Sequence, residues 1–300
     1  MNARRHSEGA SGEDVSASLP FDCDARQKIF LSQVEITGLG LEIGPSYSPV
    51  VPKSSGLRIE TADYLDQSQL REKYRTAPGV DVSRIESVDH VLGEGGLAAT
   101  IPHRERYDYI IASHVIEHVP DLVRFLKDCQ SLLKPAGVLA LAVPDKRATF
   151  DFFSPVSSTG QVLQAHARRD ARPLGGTVFD HVANLALVQD RMAWELGSRG
   201  LVSVEGDVAK AYDLCSAVNS SSTYVDVHVW RFVPSSFRLI IGDLLEIGLV
   251  RFREKAFLTT SGFEFYSFLS CDGRLSAARD RRAQLLAALQ EQAAVADTLA

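Results

Sequence analysis

The four cysteines in 300 residues, Cys23, Cys129, Cys215 and Cys271, are scattered, and no two stand at metal-ligand spacing. That excludes a zinc ribbon and gives no hint of a disulfide framework, so a reducing cytoplasm is the default setting. Long hydrophobic runs are also missing. The longest candidate, Phe237 to Val250, is broken by Arg238, Gly242, Asp243, Glu246 and Gly248, well short of the ~18 apolar residues that suggest a membrane span. The amino terminus carries Arg4, Arg5, His6 and Glu8 with no apolar stretch behind them, so it does not read as a secretory signal. An excess of positive charge is absent too. The net charge is −6, which argues against nucleic-acid backbone binding as the main task. What is present is a composition 45% hydrophobic and 23% charged, too apolar for disorder and sufficient for a real core. Domains usually hold ~100–200 residues, so one large domain, or one domain with a sizeable insertion, is expected.

Residues 1–20 are mostly Ser, Gly and charge and read as a disordered leader. A short helix is expected over Asp24–Val34, where Ile29, Phe30 and Val34 fall at helical spacing. Strands are expected at Gly38–Ile43, Gly56–Ala62, Ser83–Val88 and Tyr107–Ala112, with a helix at Gln67–Arg75 after the second. A helix from about Val119 has Leu122, Val123, Phe125, Leu126, Cys129 and Leu132 on its apolar face, and Pro135 and Gly137 stop it. Val138–Val143 is fully apolar, as a strand buried on both faces of a parallel sheet should be. The alternation predicts an α/β, Rossmann-like doubly wound sheet, mostly parallel. The order breaks after Pro144. A long helical stretch is expected near Val178–Ser198, a helix at Ser235–Ile247, and an antiparallel strand pair at Val250–Leu258 and Phe263–Leu269. The expected organisation is a core of residues 21–144 and 231–270, a helical insertion over 145–230 that recognises an acceptor, and a helix in 271–300 with Leu285, Leu289, Ala293 and Ala296 along one side. That stripe is expected to dock on its own domain, and a homodimer or a docking partner is the alternative use for it.

In open α/β sheets ligands sit beyond the carboxyl ends of the strands. Glu42–Ser46, Asp63, Asp89, Ser113–His118 and Asp145–Arg147 all fall at or just after such ends. A dinucleotide loop needs several glycines opening a helix, whereas Gly44-Pro45-Ser46-Tyr47-Ser48-Pro49 supplies one glycine and two prolines. Glu42 would repel a pyrophosphate there and suits a ligand with a cationic amine. Asp63 can grip a ribose diol in either case.

Leu41-Glu-Ile-Gly-Pro45, Asp63, Asp89, Ile111-Ala-Ser-His-Val-Ile-Glu-His118 and Leu132-Leu-Lys-Pro-Ala-Gly-Val138 together resemble the successive motifs of class I S-adenosylmethionine-dependent methyltransferases. The resemblance spans residues 38–143 and extends to the late strand pair. The usual second and third glycines of the first loop are missing. The resemblance implies S-adenosyl-L-methionine as cofactor, with Glu42 and Gly44 under its methionine part, Asp63 on the ribose, Asp89 on the adenine amine, and Ser113 and His114 beside the methionine portion. Two other classes stay open: a nicotinamide-dependent oxidoreductase on a related sheet, and a non-catalytic scaffold that keeps the fold.

His114-Val-Ile-Glu117-His118 matches an inverted zinc-protease pattern, but His114 follows a strand directly, so the two histidines cannot share a helix face. Some methyltransferases bind a divalent metal with a similar segment, whose first ligand is usually acidic. The plainer expectation is that Glu117 and His118 cap the next helix and shape the cofactor pocket, and no metal site is assigned. Hydroxyl acceptors need a base near neutral pH. His118, His181 and His228 are the candidate catalytic residues, the last two flanked by Phe179 and Trp230. His166, Arg168, Arg169 and Arg172 make a basic cluster that reads as a solvated helix end, with a phosphate-bearing or sulfated acceptor as the alternative. A looser resemblance of Val143-Pro-Asp-Lys-Arg147, Thr149–Phe152 and Asp226–Trp230 to bacterial methyltransferase-domain proteins of surface-polysaccharide synthesis suggests O-methylation of a small-molecule or glycan acceptor.

Overall fold

The computed structural model describes residues 23–93, 95–221, 223–273 and 280–294; the leader expected at 1–20 and Ala296 lie outside them. In order, the elements are α1 (Ala25–Leu31), β1 (Gly40–Ile43), β2 (Ile59–Asp63), α2 (Gln67–Tyr74), β3 (His90–Val91), α3 (Leu97–Thr100), β4 (Tyr107–Ser113), α4 (Leu122–Leu132) and β5 (Leu133–Pro144). There follow α5 (Thr159–Arg168), α6 (Gly175–Ala183), β6 (Ala186–Val188), β7 (Val202–Val204), α7 (Val208–Ser220), α8 (Pro234–Glu246), β8 (Arg253–Ser261), β9 (Glu264–Ser270) and α9 (Arg281–Ala293).

Seven strands form one sheet in the order β3-β2-β1-β4-β5-β9-β8, and β6 pairs with β7 in a separate antiparallel ribbon. β3, β2, β1, β4 and β5 run parallel, whereas β9 lies antiparallel to both β5 and β8. The expected Rossmann-like class with a late antiparallel pair is what forms. The central strands are buried on both faces, and their alternation sorts the core. Ile110 and Ala112 of β4 and Leu139, Leu141 and Val143 of β5 join α4, α5 and α8 on one face. Tyr109, Ile111, Val138, Ala140 and Ala142 meet Phe30, Leu31, Val50 and Val51 on the other. α4 buries the apolar positions its periodicity marks, and the Asp121 side chain caps it by accepting from the Arg124 amide.

Four expectations need correction. The strand placed at Ser83–Val88 is instead a 3₁₀ turn over Val82–Arg84 started by the Asp81 side chain, and the real strand, His90–Val91, begins after Asp89. The polar groups of the intervening stretch are met by side chains: Gln67 and Arg71 donate to the Ile85 carbonyl, and Glu86 accepts the Lys53 amide. The helix expected over Val178–Ser198 ends at Ala183. Gln189 and Asp190 then adopt left-handed φ of 51° and 61°, turning the chain so that Val188 packs with Ala148, Ala186 and Trp194. Asp121, not Glu117 or His118, caps α4. Finally, α9 packs on α8 through Ala288 while Leu285, Leu286 and Leu289 stay 40%, 43% and 64% exposed. Its rotation is set by polar anchors: Glu291 accepts the Ser235 amide and hydroxyl, and Arg281 pairs with Asp243.

Residues 145–230 hold two small clusters of their own, one around Trp194 and one around Val178, Val218 and Val227. Within that span α5 packs on α4 and α8 and contributes Val162 and Ala165 to the main core. Among the described residues no helix is long and apolar enough to cross a membrane.

Candidate active site

The strand order reverses between β1 and β4, and a parallel sheet opens a crevice at the carboxyl ends of two such strands. A cleft of about 520 Å³ lies there, lined by Ile43, Gly44, Ser46 and Asp63 from the ends of β1 and β2, by Leu92, Gly93 and Gly96, and by His114, Val115 and His118 after β4. That volume is within the range of small-molecule sites. Tyr64, Lys73, Tyr224 and Asp226 form one of its walls.

The first turn depends on Gly44. Its φ is +65°, its amide donates to the Ala62 carbonyl at 2.8 Å, and an added Cβ would meet Val115 Cγ2 at 3.0 Å. A single glycine therefore suffices where the chain must bend sharply and leave room in the cleft. Ser46 Oγ is buried at the cleft wall with no partner among the described residues. Asp63 is almost fully buried and lines the cleft, and burial pushes its carboxyl up to about 6 against the Tyr64 amide that bonds it.

Three of the six residues expected to touch the cofactor face elsewhere. Glu42 is fully buried, and its two oxygens accept the Val50 and Val51 amides at 2.6 and 2.9 Å. Burial raises it to about 7, with those amides pulling the other way. It braces the loop after β1 from below. Asp89 is exposed and precedes β3; it bonds the Thr61 amide at 2.8 Å and pairs with Lys53 at 2.7 Å, away from the cleft. Ser113 accepts from Arg26 of the first helix. Gly44, Asp63 and His114 do line the cleft. His114 takes a left-handed φ of 52° and bonds Glu264 of β9 through Nε2 at 2.7 Å.

The three candidate catalytic histidines converge. The segment 226–230 lies along the turn after β4: the Val229 and Trp230 amides donate to the Glu117 carbonyl at 2.6 and 3.1 Å, and Trp230 Nε1 donates to the Val119 carbonyl at 2.7 Å. This seats the His228 ring 4.7 Å from His118 and 5.8 Å from His181, with Phe150 against both His181 and His228. His228 Nδ1 is 2.5 Å from Asp151, a buried carboxylate that also holds Arg231. His118 Nδ1 is 2.9 Å from Asp226, which Lys73 of α2 also pairs within the same wall. Burial opposes charge on His118, but the Asp226 and Glu117 carboxylates outweigh it and raise its pKa. His181 is pushed down to about 4 by burial, and its Nδ1 accepts the His228 amide. Its lone pair is thereby occupied, which sets it apart from the other two.

Asp151, Lys73 and Tyr224 carried no role in the sequence reading. Asp151 had one visible signal, an acid amid Phe150, Phe152 and Phe153; Lys73 and Tyr224 had none. Three of the four members of the basic cluster are taken up internally: His166 pairs with Asp121, Arg168 with Asp170, and Arg172 donates to the Ser221 carbonyl.

A family profile described as a methyltransferase domain matches residues 50–205, just over half of the chain. The chain belongs to the S-adenosylmethionine-dependent methyltransferases. It is 48% identical over 42 residues to ubiquinone biosynthesis O-methyltransferase from Rhodopseudomonas palustris, a match covering 14% of this chain and 17% of that relative. A 54-residue stretch is 39% identical to the same enzyme of Parvibaculum lavamentivorans and spans 21% of it. Among solved structures, the PH0226 protein of Pyrococcus horikoshii aligns at 14% identity over 81% of this chain and 84% of that one, with a TM-score of 0.40. A methyltransferase from Methanosarcina mazei aligns at 14% identity over 83% and 98%, with a TM-score of 0.41. The methyltransferase's cofactor is S-adenosyl-L-methionine. The cleft fits that group: Gly44 leaves the turn open, Asp63 stands at the end of β2, and the unpartnered Ser46 hydroxyl lies beside them.

Proposed function

We propose that the protein methylates a hydroxyl group of a small-molecule or glycan acceptor at the end of the cleft formed by the histidine cluster. The observation that carries this reading is the pair His118 and His228. Each ring has a carboxylate at Nδ1, Asp226 and Asp151, which leaves Nε2 of both without a hydrogen bond; His118 lines the cleft and His228 lies buried against it. A carboxylate behind an imidazole fixes its tautomer and orients the ring, as proton transfer from a hydroxyl requires. The local identity to O-methyltransferases supports an oxygen acceptor.

Gly44, Asp63 and His114 would hold the cofactor, which supplies an electrophilic sulfonium methyl when bound. Asp63 accepts hydroxyl donors in its ionised form. Tyr64, Lys73, Tyr224 and Asp226 wall the acceptor side, a polar rim with two aromatic faces that suits a polyhydroxylated ring. Holding donor and acceptor in line can supply ~7–11 kcal/mol of the barrier.

The test is methyl transfer from radiolabelled S-adenosylmethionine to a panel of phenols, sugars and glycan fragments, with amines alongside. Label on hydroxyl compounds, lost in His228→Ala, supports the reading. Label on amines alone overturns it, and a thermal shift with NAD or NADP but not with S-adenosylhomocysteine would favour the oxidoreductase alternative.

A further inference from the structure

Glu117 is completely buried, and neither of its carboxylate oxygens has a hydrogen-bond partner among the described residues. An unpaired carboxylate in such a place is among the most unfavourable arrangements a core can contain. Yet it is surrounded by imidazoles. Its Oε1 lies 3.5 Å from His114 Nδ1, 4.0 Å from His118 Nε2 and 4.0 Å from His228 Nε2. Glu117, His118 and His228 offer ligand atoms that all fall within 4.8 Å of one another. The far nitrogens of His118 and His228 lie 2.9 Å from Asp226 and 2.5 Å from Asp151.

From this we infer that Glu117, His118 and His228 form a binding site for a divalent transition-metal ion of the zinc type. Two imidazoles and one carboxylate, each imidazole backed by an outer carboxylate, are the donors such an ion prefers over magnesium or calcium, which take mostly oxygen ligands. A cation between the three supplies what Glu117 lacks, and small side-chain rotations bring the atoms to bonding distance. The ligands come from two separate pieces of chain, the turn after β4 and the segment following α7, joined by the amides that Glu117 holds through its carbonyl. His118 lines the cleft, so the remaining coordination positions open toward it. An acceptor hydroxyl there would become a further ligand, and with the ion bound it is the ion, not the His118 and His228 Nε2 atoms it takes up, that would lower the hydroxyl's pKa. The metal's function rests on the methyltransferase reading; the site itself does not.

The experiment is titration of the chelator-treated full-length protein with Zn²⁺ by calorimetry, with Co²⁺ as a spectroscopic probe and Mg²⁺ as a competitor. One equivalent of Zn²⁺ is expected to bind, with a Co²⁺ ligand-field band showing nitrogen and oxygen ligands, and excess Mg²⁺ should not displace it. Glu117→Gln and His228→Ala should weaken Zn²⁺ more than ~100-fold, and Asp151→Asn by ~10–100-fold through the ring it orients. His103→Ala, at an exposed position, should change nothing. S-adenosylhomocysteine binding is measured on every variant, so that a folding failure is separated from a lost ligand. Absence of a stoichiometric site in wild type, or full affinity in both ligand variants, overturns the proposal. Cofactor binding without zinc sinks the metal and leaves the methyltransferase reading; zinc binding without cofactor does the reverse.

Discussion

Two buried carboxylates at neighbouring strand ends do different work, and pH separates them. Glu42 has an ordinary pKa of 4.5 and about 7 in the fold because burial disfavours its charge. Between those values the folded protein binds a proton that the unfolded chain does not, so stability falls as pH rises through the window. The full difference is roughly 3 kcal/mol by the linkage of 1.36 kcal/mol per pKa unit. Thermal midpoints measured from pH 4.5 to 8 should therefore drop more steeply in wild type than in Glu42→Gln, and parallel curves would contradict this. Asp63, at the cleft, is proposed to act on ligand instead. Burial raises it from 3.8 to about 6, and the ionised form is the one that accepts ribose hydroxyls. Affinity for S-adenosylhomocysteine should decline below pH 6. Asp63→Asn should bind ~10-fold or more weakly, in keeping with a charged hydrogen bond, and show no such pH dependence. Of the residues named from sequence, those whose side chains point into the cleft were not separable from those that brace it. Glu42 and Asp63 both end strands, and only the direction of the neighbouring amides tells them apart.

At the scale of the element, the segment carrying His228 is held by backbone and indole bonds rather than by periodic structure of its own. Trp230 is buried in the main core and donates to the Val119 carbonyl. Trp230→Ala should cost ~3–5 kcal/mol, the usual range for a large aromatic truncated in a core. Trp230→Phe should lose about 1 kcal/mol for the hydrogen bond and lower kcat more than it raises KM, since the His228 ring shifts while the cleft stays. Denaturant unfolding and steady-state kinetics check both. The last helix offers an opposite case. α9 meets α8 through Ala288, which is 7% exposed. Ala288→Leu should destabilise by ~1–3 kcal/mol through overpacking, whereas Leu289→Ser, on the exposed side, should stay within about 0.5 kcal/mol. The apolar stripe in the sequence pointed to the leucines. Backbone approach and the Glu291 and Arg281 anchors chose the alanine face instead.

For the molecule as a whole, cofactor binding should be readable as stability. S-adenosylhomocysteine at ~100 times its dissociation constant should add about 2.7 kcal/mol, or several degrees at ~2–4 °C per kcal/mol for a chain of this size. No shift would return the protein to the scaffold alternative. The class of the sheet, its parallel centre, the antiparallel pair and the apolar face of α4 were all set by local pattern, because strand and helix periodicities are properties of short stretches. So was the position of the cleft, since a parallel sheet opens only where its order reverses. The third strand was misplaced because its segment is held by side chains from other elements, which no periodicity records. His118, His181 and His228 could be named from sequence as candidates, but their meeting could not. His118 and His228 are 110 positions apart in the chain, and what joins them is two amides folded onto one carbonyl of Glu117. Local propensity decided which elements form; long-range hydrogen bonding and burial decided which side chains share the site, and left one carboxylate facing three imidazoles.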